Sequence, residues 1–308
     1  MNLDICMVGS AMTDLVVRTP RLPGPGETLL GSSFAESFGG KGANQAVMAA
    51  RLGARVGVVV KLGRDAFGDR TLQNFQDEGL DTAFVGRADG PSGVALITVG
   101  EDTGENAIAL APGANLTLSP ADVARAAAAV RGAAVLVAQL ETPQAATLAA
   151  FRLAEEGRTR TLLNPAPAAD LDPELLALTD VLIPNEGEAG LLLGRRLEGP
   201  GDAESAAAAL LERGPETVLL TLGPRGVLLA ERGKRPRHVP TEAVRAVDTT
   251  GAGDAFVGSL AYFLACRPAL PLATAASRAC RVASLSVTRP GTQSSYPRRP
   301  EVADLLGD

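Results

Sequence analysis

Short apolar, β-branched runs alternate with longer Ala-, Leu-, Glu- and Arg-rich stretches along this chain, and that alternation predicts a parallel sheet covered by helices. Strands are predicted at Ile5–Val8, Val56–Lys61, Val135–Gln139, Thr161–Leu163, Val181–Ile183, Val218–Thr221 and Val227–Ala230. Helical spacing runs through Ala43–Leu52, Thr71–Glu78, Pro120–Val130, Pro143–Glu156, Ala203–Arg213 and Ala255–Ala265. Polar residues follow the apolar runs: Gly9-Ser10 and Asp14, Glu141, Asn164-Pro165-Ala166-Pro167, Asn185-Glu186-Gly187-Glu188, and Thr221-Leu222-Gly223-Pro224-Arg225-Gly226. Open α/β sheets bind ligands at the carboxyl ends of their strands, so five such coincidences point to one crevice.

Two segments break the pattern. Residues 12–38 are punctuated by Pro20, Pro23, Gly24, Pro25, Gly26 and Gly31, and residues 88–112 alternate in the manner of strands. The expectation is one doubly wound α/β domain over residues 1–308, with these two insertions pairing as a small β-sheet lid.

Composition removes several chemistries. A net charge of −6 with scattered basic residues argues against a nucleic-acid surface. The single histidine, His238, rules out a His-based zinc site, and no Gly-x-Ser-x-Gly elbow accompanies it. It reads as a surface residue in a short strand. Cys6, Cys266 and Cys280 are odd in number and far apart, as expected of reduced thiols in a cytoplasmic protein. No stretch approaches the roughly 18–20 apolar residues of a membrane span.

Carboxylates, lysine and backbone amides remain. In Asp248-Thr249-Thr250-Gly251-Ala252-Gly253-Asp254 a Gly-rich turn precedes a helix-compatible run. Free N–H groups at such a helix start suit phosphate oxygens, and Asp254 could take a proton from an attacking hydroxyl. An Asp there is more often a simple helix N-cap, so this motif alone leaves both readings open. Gly39-Gly40-Lys41-Gly42-Ala43-Asn44 opens a second helix without forming a Walker A loop. Lys41, Asn44 and the exposed amides around them suit several sugar hydroxyls. Glu188 is a candidate to organise Mg²⁺ through water, and complementing a helix N-terminus is an equally good reading of it.

These two glycine motifs resemble the two signatures of the ribokinase-like family of carbohydrate and purine kinases. The resemblance extends in order through Gln139-Leu140-Glu141, Asn164-Pro165-Ala166-Pro167, Pro184-Asn185-Glu186, Thr221-Leu222-Gly223 and Gly291-Thr292-Gln293-Ser294-Ser295-Tyr296-Pro297, nearly the full length. It implies transfer of the ATP γ-phosphoryl group to O5 of a pentofuranose, ribose first and 2-deoxyribose next. Asp254 would be the base, with the amides of Gly251, Ala252 and Gly253 as the anion hole. Met12, Thr13, Asp14, Gly40, Lys41, Gly42, Ala43, Asn44 and Glu141 would surround the sugar. Asn185, the loop Thr221, Leu222, Gly223, Pro224, Arg225, Gly226, then Gly253, Asp254 and Cys280 would line the nucleotide. Asp248, Thr250, Ser286, Arg289, Gly291 and Ser295 match positions around an activating monovalent cation, usually K⁺, contributing mostly backbone oxygens. The lid in this family often makes a homodimer contact and would exclude water on closing.

Two positions depart from the common pattern. Cys280 stands where relatives often carry Asn or His near adenine. Met12 stands where many bacterial members carry an Asn that faces the sugar; members acting on 2-deoxyribose and eukaryotic-type members also have Met. A thioether cannot return that hydrogen bond, and an unpaired hydroxyl against it costs about 1–3 kcal/mol. A kinase for a ketohexose, nucleoside or sugar phosphate is a further reading. From another class, so is a nucleotide-binding regulator that keeps the fold without turnover.

Overall fold

Alternation of side chains across each short strand decides how the layers assemble. The computed structural model describes residues 3–197 and 199–307, and all that follows concerns those residues. In chain order they form β1 (Ile5–Val8), β2 (Met12–Thr19), β3 (Ser33–Gly39), α1 (Lys41–Arg51), β4 (Val56–Val59), β5 (Lys61–Gly63), α2 (Ala66–Asp77), β6 (Gly86–Ala88), β7 (Gly93–Gly100) and β8 (Asn106–Ala111). There follow α3 (Pro120–Arg125), α4 (Ala127–Gly132), β9 (Val135–Ala138), α5 (Gln144–Gly157), β10 (Arg160–Leu163), α6 (Pro173–Ala177), β11 (Val181–Leu182), α7 (Glu186–Leu192) and α8 (Pro200–Leu211). The last elements are β12 (Thr217–Thr221), β13 (Val227–Glu231), β14 (Arg237–Val239), α9 (Ala252–Cys266), α10 (Leu272–Ser286) and α11 (Ala303–Leu306).

Eight strands make the main sheet in the order β14-β13-β12-β11-β10-β9-β1-β4. Pairing is parallel from β4 to β12 and antiparallel for β13 and β14. Ile5 and Met7 pack with α1, α9 and α10 on one face, and Cys6 and Val8 pack with α3, α5 and α8 on the other. Both faces are therefore apolar, which is why these strands read as continuous apolar runs. The architecture is the doubly wound, mostly parallel α/β sheet that the alternation predicts, with a smaller sheet beside it. No helix is long and apolar enough to cross a membrane.

The smaller sheet has the order β3-β2-β7-β8, with β2 and β7 parallel and the outer pairs antiparallel. Met12 and Asp14 share one of its faces with Ala95 and Leu110, their register partners or the next in line. Apolar side chains remain exposed on both faces, Ile108 and Leu110 on that one, Phe34 and Leu96 on the other.

Several boundaries differ from expectation for local reasons. The predicted strand over Val56–Lys61 is two strands interrupted at Val60, and the second pairs with β6 instead of the main sheet. The predicted Pro120–Val130 helix breaks at Ala126, whose N–H turns to the Val123 carbonyl at 2.9 Å. Helix α2 starts earlier than predicted because Asp65 caps it, accepting from the Gly68 N–H at 2.8 Å. Helix α10, unmarked by Gly or Pro within it, was not anticipated from the periodicity.

Candidate active site

The strand ends carry a polar floor, and two helices close over it. Helices α1 and α9 approach so nearly that a Cβ on Gly258 would lie 2.4 Å from the Gln45 carbonyl oxygen. This contact sets the first turn of α9 against the first turn of α1. Asp254, almost wholly buried, accepts from Asn44 Nδ2 on one oxygen and from Gln45 Nε2 on the other, each at 2.9 Å.

Gly251 precedes α9 with φ 76°, a left-handed conformation, and a Cβ there would lie 2.5 Å from Thr292 Cγ2. The Tyr296 hydroxyl donates to the Gly251 carbonyl at 3.0 Å and braces the turn. The Ala252 N–H turns back to Thr249 O at 3.3 Å, whereas the N–H groups of Gly253 and Asp254 have no partner among the described residues. A Cβ on Gly253 would meet nothing within 4 Å. With the N–H of Gly251, likewise without a partner among the described residues, these amides at the positive end of a 15-residue helix face open space, the arrangement that suits phosphate oxygens.

The start of α1 differs from expectation. Its amides are not exposed: the Lys41 N–H donates to Glu141 Oε2 (2.9 Å), the Gly42 N–H to Ser10 Oγ (3.4 Å) and the Ala43 N–H to Ser10 O (2.8 Å). Helix starts must place these donors, and this one spends them on the end of β1. The Ser10 hydroxyl also donates to Glu141 Oε2, so Glu141 caps α1 and keeps Oε1 for the crevice. Gly40 adopts φ 87°, with a Cβ position 2.7 Å from Ala11 Cα, so only glycine lets this turn touch the root of β2.

Asp14 reaches the same space from β2, lying so near Gly39 that a Cβ there would come 2.3 Å from Oδ1. Burial, and then the charges of Glu141 and Asp254, raise its pKa to about 7. Burial opposes the charge of Lys41, but Asp254, Glu141 and Glu188 outweigh it and leave that pKa above the ordinary value. The ammonium therefore balances a carboxylate cluster. Met12, almost fully buried, begins β2 between Gly39 and Gly93. Thr13 alternates to the opposite face of β2, away from Met12 and Asp14.

On the nucleotide side, Asn185 bridges to Thr221, and the turn after β12 uses Gly223 (φ 57°) and Gly226 (φ 89°). Leu222 and Pro224 sit within that turn, but Arg225 turns its guanidinium to Glu186 at 2.6 Å. Glu188 takes the helix-capping role: its two oxygens accept from the Asn185 N–H and Nδ2, at 2.9 and 2.8 Å. Burial raises its pKa, against the pull of the Asn185 N–H and of Lys41, so it also borders the crevice. Cys280 lies in the apolar cluster of α10, and burial pushes its thiol up to about 12, so it offers a neutral, apolar wall.

The segment around Asp248 is stitched to the chain after α10. Val247 and Asp248 N–H groups donate to Val287 O, at 2.7 and 3.2 Å. The Asp248 carboxylate accepts from the N–H groups of Thr250 and Gly291, both at 2.9 Å. Ser286 and Ser295 hydroxyls donate to backbone carbonyls of their own turns, and Arg289 pairs outward with Glu301. The Asp248, Ser286, Arg289 and Ser295 side chains are thus all engaged within this part of the chain.

Residues to which the sequence assigned no role complete the floor: Ser10, Gln45, Gln139, Asn164 and Gln293, all buried. Their only sequence signal is position, beside a motif or directly after a strand.

The pfkB family carbohydrate kinase profile matches residues 2–299. A mouse protein named ribokinase is 46% identical over 301 residues, which is 97% of this chain and 93% of its own length. A Salmonella typhi protein named deoxyribokinase is 38% identical over 297 residues, 96% of each. The structure of Arabidopsis thaliana ribokinase complexed with ribose and ATP superposes with a TM-score of 0.90 at 30% identity, covering 99% of both chains. With this geometry and these relatives, the chain belongs to the pfkB family of carbohydrate kinases.

Proposed function

We propose that this chain transfers the γ-phosphoryl group of ATP to O5 of D-ribose, giving ribose 5-phosphate and ADP. The observation that carries the reading is Asp254, buried in the first turn of α9 among free helix-start amides that include its own, and held by Asn44 and Gln45. The sugar hydroxyl gives its proton to Asp254 as its oxygen bonds to phosphorus, and the bond from phosphorus to the β-phosphate oxygen breaks to release ADP. The Gly253 and Asp254 amides stabilise charge on the transferring oxygens, and Lys41 offsets the surrounding carboxylates. Asp14, Asn44 and Glu141 Oε1 supply acceptors and donors for the remaining hydroxyls. Asn185 and the Thr221–Gly226 turn form the nucleotide wall, with Cys280 contributing apolar surface only.

Mg²⁺ supplies charge neutralisation on the phosphates, and Glu188, already committed to capping α7, would reach it through water. K⁺ fits beside Asp248, Thr250, Ser286, Arg289, Gly291 and Ser295 through backbone oxygens. In this reading the β3-β2-β7-β8 sheet is a lid on a single domain, and its exposed Ile108 meets the same face of a second copy. Ile108→Asp should then yield monomers in sedimentation; dimers of unchanged stability would remove that assignment. The three thiols, none in a disulfide, suit a reducing cytoplasm.

2-Deoxyribose is the second acceptor, favoured by the buried Met12 thioether at the sugar end of β2. The test is ADP release with ribose, 2-deoxyribose, fructose and adenosine, with and without K⁺, for the native chain and Asp254→Asn. Turnover on a pentose that falls at least ~10²-fold in the variant is expected. Turnover on adenosine alone, or an unimpaired variant, would refute the assignment; ATP binding without any turnover would favour a regulator.

A further inference from the structure

Asp254 is the end of a buried chain of amides. A carboxylate only accepts, so Asn44 and Gln45 must both turn their NH₂ groups to it. Their carbonyl oxygens then point away, and each needs a donor. Gln293 Nε2 serves Asn44 at 3.0 Å, and Gln139 Nε2 serves Gln45 at 2.6 Å. Gln293 is satisfied in turn by Asn74 Nδ2 at 3.1 Å. Gln139 is the exception. Its Oε1 is buried with no partner among the described residues, and its remaining N–H rests 3.2 Å from the Met7 sulfur. The Gly9 backbone stands so near that a Cβ there would lie 2.2 Å from that oxygen.

An unpaired buried acceptor is a defect that an apolar side chain of the same length avoids. Packing gives no reason for an amide at the end of β9, whereas the orientation of Gln45 does. The Gln45 NH₂ donates to Asn164 Oδ1 as well, at 3.1 Å, so its far end is held on one side and its carbonyl on the other. We propose that Gln139 is a positioning residue for phosphoryl transfer: by donating to the Gln45 carbonyl it completes, with Asn164, the hold on the amide that grips Asp254 Oδ1, at the cost of its own unsatisfied oxygen. It touches neither reactant and acts only through Gln45. Stability is given up for alignment, as functional sites commonly do.

The proposal rests on Asp254 being the base, and the test separates the two. Gln139→Met, Gln45→Met and the double variant are compared with Asp254→Asn for kcat, KM for ATP and thermal midpoint. Gln139→Met removes one unpaired buried acceptor and leaves Gln45 Oε1 as another, so it should unfold close to the native temperature while kcat falls about 5- to 50-fold, with KM for ATP within about twofold. Adding Gln139→Met to Gln45→Met should change kcat less than about twofold, because nothing remains to orient. Native kcat in Gln139→Met, losses that multiply in the double variant, or a midpoint that falls with kcat would overturn it. Should Gln45→Met fail to fold, the loss of kcat at a near-native midpoint in Gln139→Met decides. An active Asp254→Asn refutes the base itself.

Discussion

Gly258→Ala tests whether the approach of two helices, more than the identity of the acid, sets the chemistry. Glycine inside a helix costs about 1 kcal/mol relative to alanine, so the substitution should help on propensity alone. In this fold the added Cβ would sit 2.4 Å from Gln45 O and 2.9 Å from Met48 Cβ. Restoring an ordinary contact near 3.4 Å parts α9 from α1 by about 1 Å. Overpacking of this kind costs about 1–3 kcal/mol, leaving a net loss of about 1 kcal/mol once propensity is credited. For a chain of this size that lowers the thermal midpoint by about 1–2 °C. The chemistry should suffer more, because Gly258 lies one turn beyond Asp254 and the displaced carbonyl belongs to Gln45 itself. Both 2.9 Å bonds to Asp254 stretch, and a shift of this size can cost about 10²-fold in kcat. Calorimetry gives the midpoint and a coupled ADP assay the rate. A variant with kcat within threefold of native would refute the argument that helix spacing positions the base.

Met12→Asn should raise the preference for ribose over 2-deoxyribose by about tenfold in kcat/KM, the effect of pairing one more hydroxyl; an unchanged ratio would mean Met12 does not face the 2-position. Asp14 binds its proton up to about pH 7 in the folded chain but only to about 3.8 unfolded. Its contribution to stability therefore falls as pH rises from 3.8 to about 7, and Asp14→Asn should flatten that part of the ligand-free midpoint–pH curve. A slope identical to native there would show that Asp14 is ionised throughout.

The strand and helix pattern, the crevice at the strand ends and the two glycine turns were readable from the residues, because each depends on local propensity or a period of two. The apolar runs of β1 and β9 name a sheet buried on both faces wherever they occur. Tertiary structure decided what those turns do. The amides of Lys41 to Ala43 look free in the chain but dock on Ser10 and Glu141, while those of Gly253 and Asp254 stay open. Thr13 neighbours Asp14 in sequence yet leaves on the other face of β2, a matter of register. Arg225 reads as part of the nucleotide loop and turns to Glu186, while Glu188, open to two readings in the sequence, takes the capping one with Asn185. Gln139 and Gln293 sit in segments that resemble the family and Gln45 beside one, but their roles are not legible there, since an amide declares its role only through the partner that orients it. Those partners lie 94 to 249 residues away, brought together by the crossing of α1 and α9 over the strand ends. Sequence alone determined that an acid follows a glycine turn at position 254; the packing of helices made it a carboxylate held by the amides of Asn44 and Gln45.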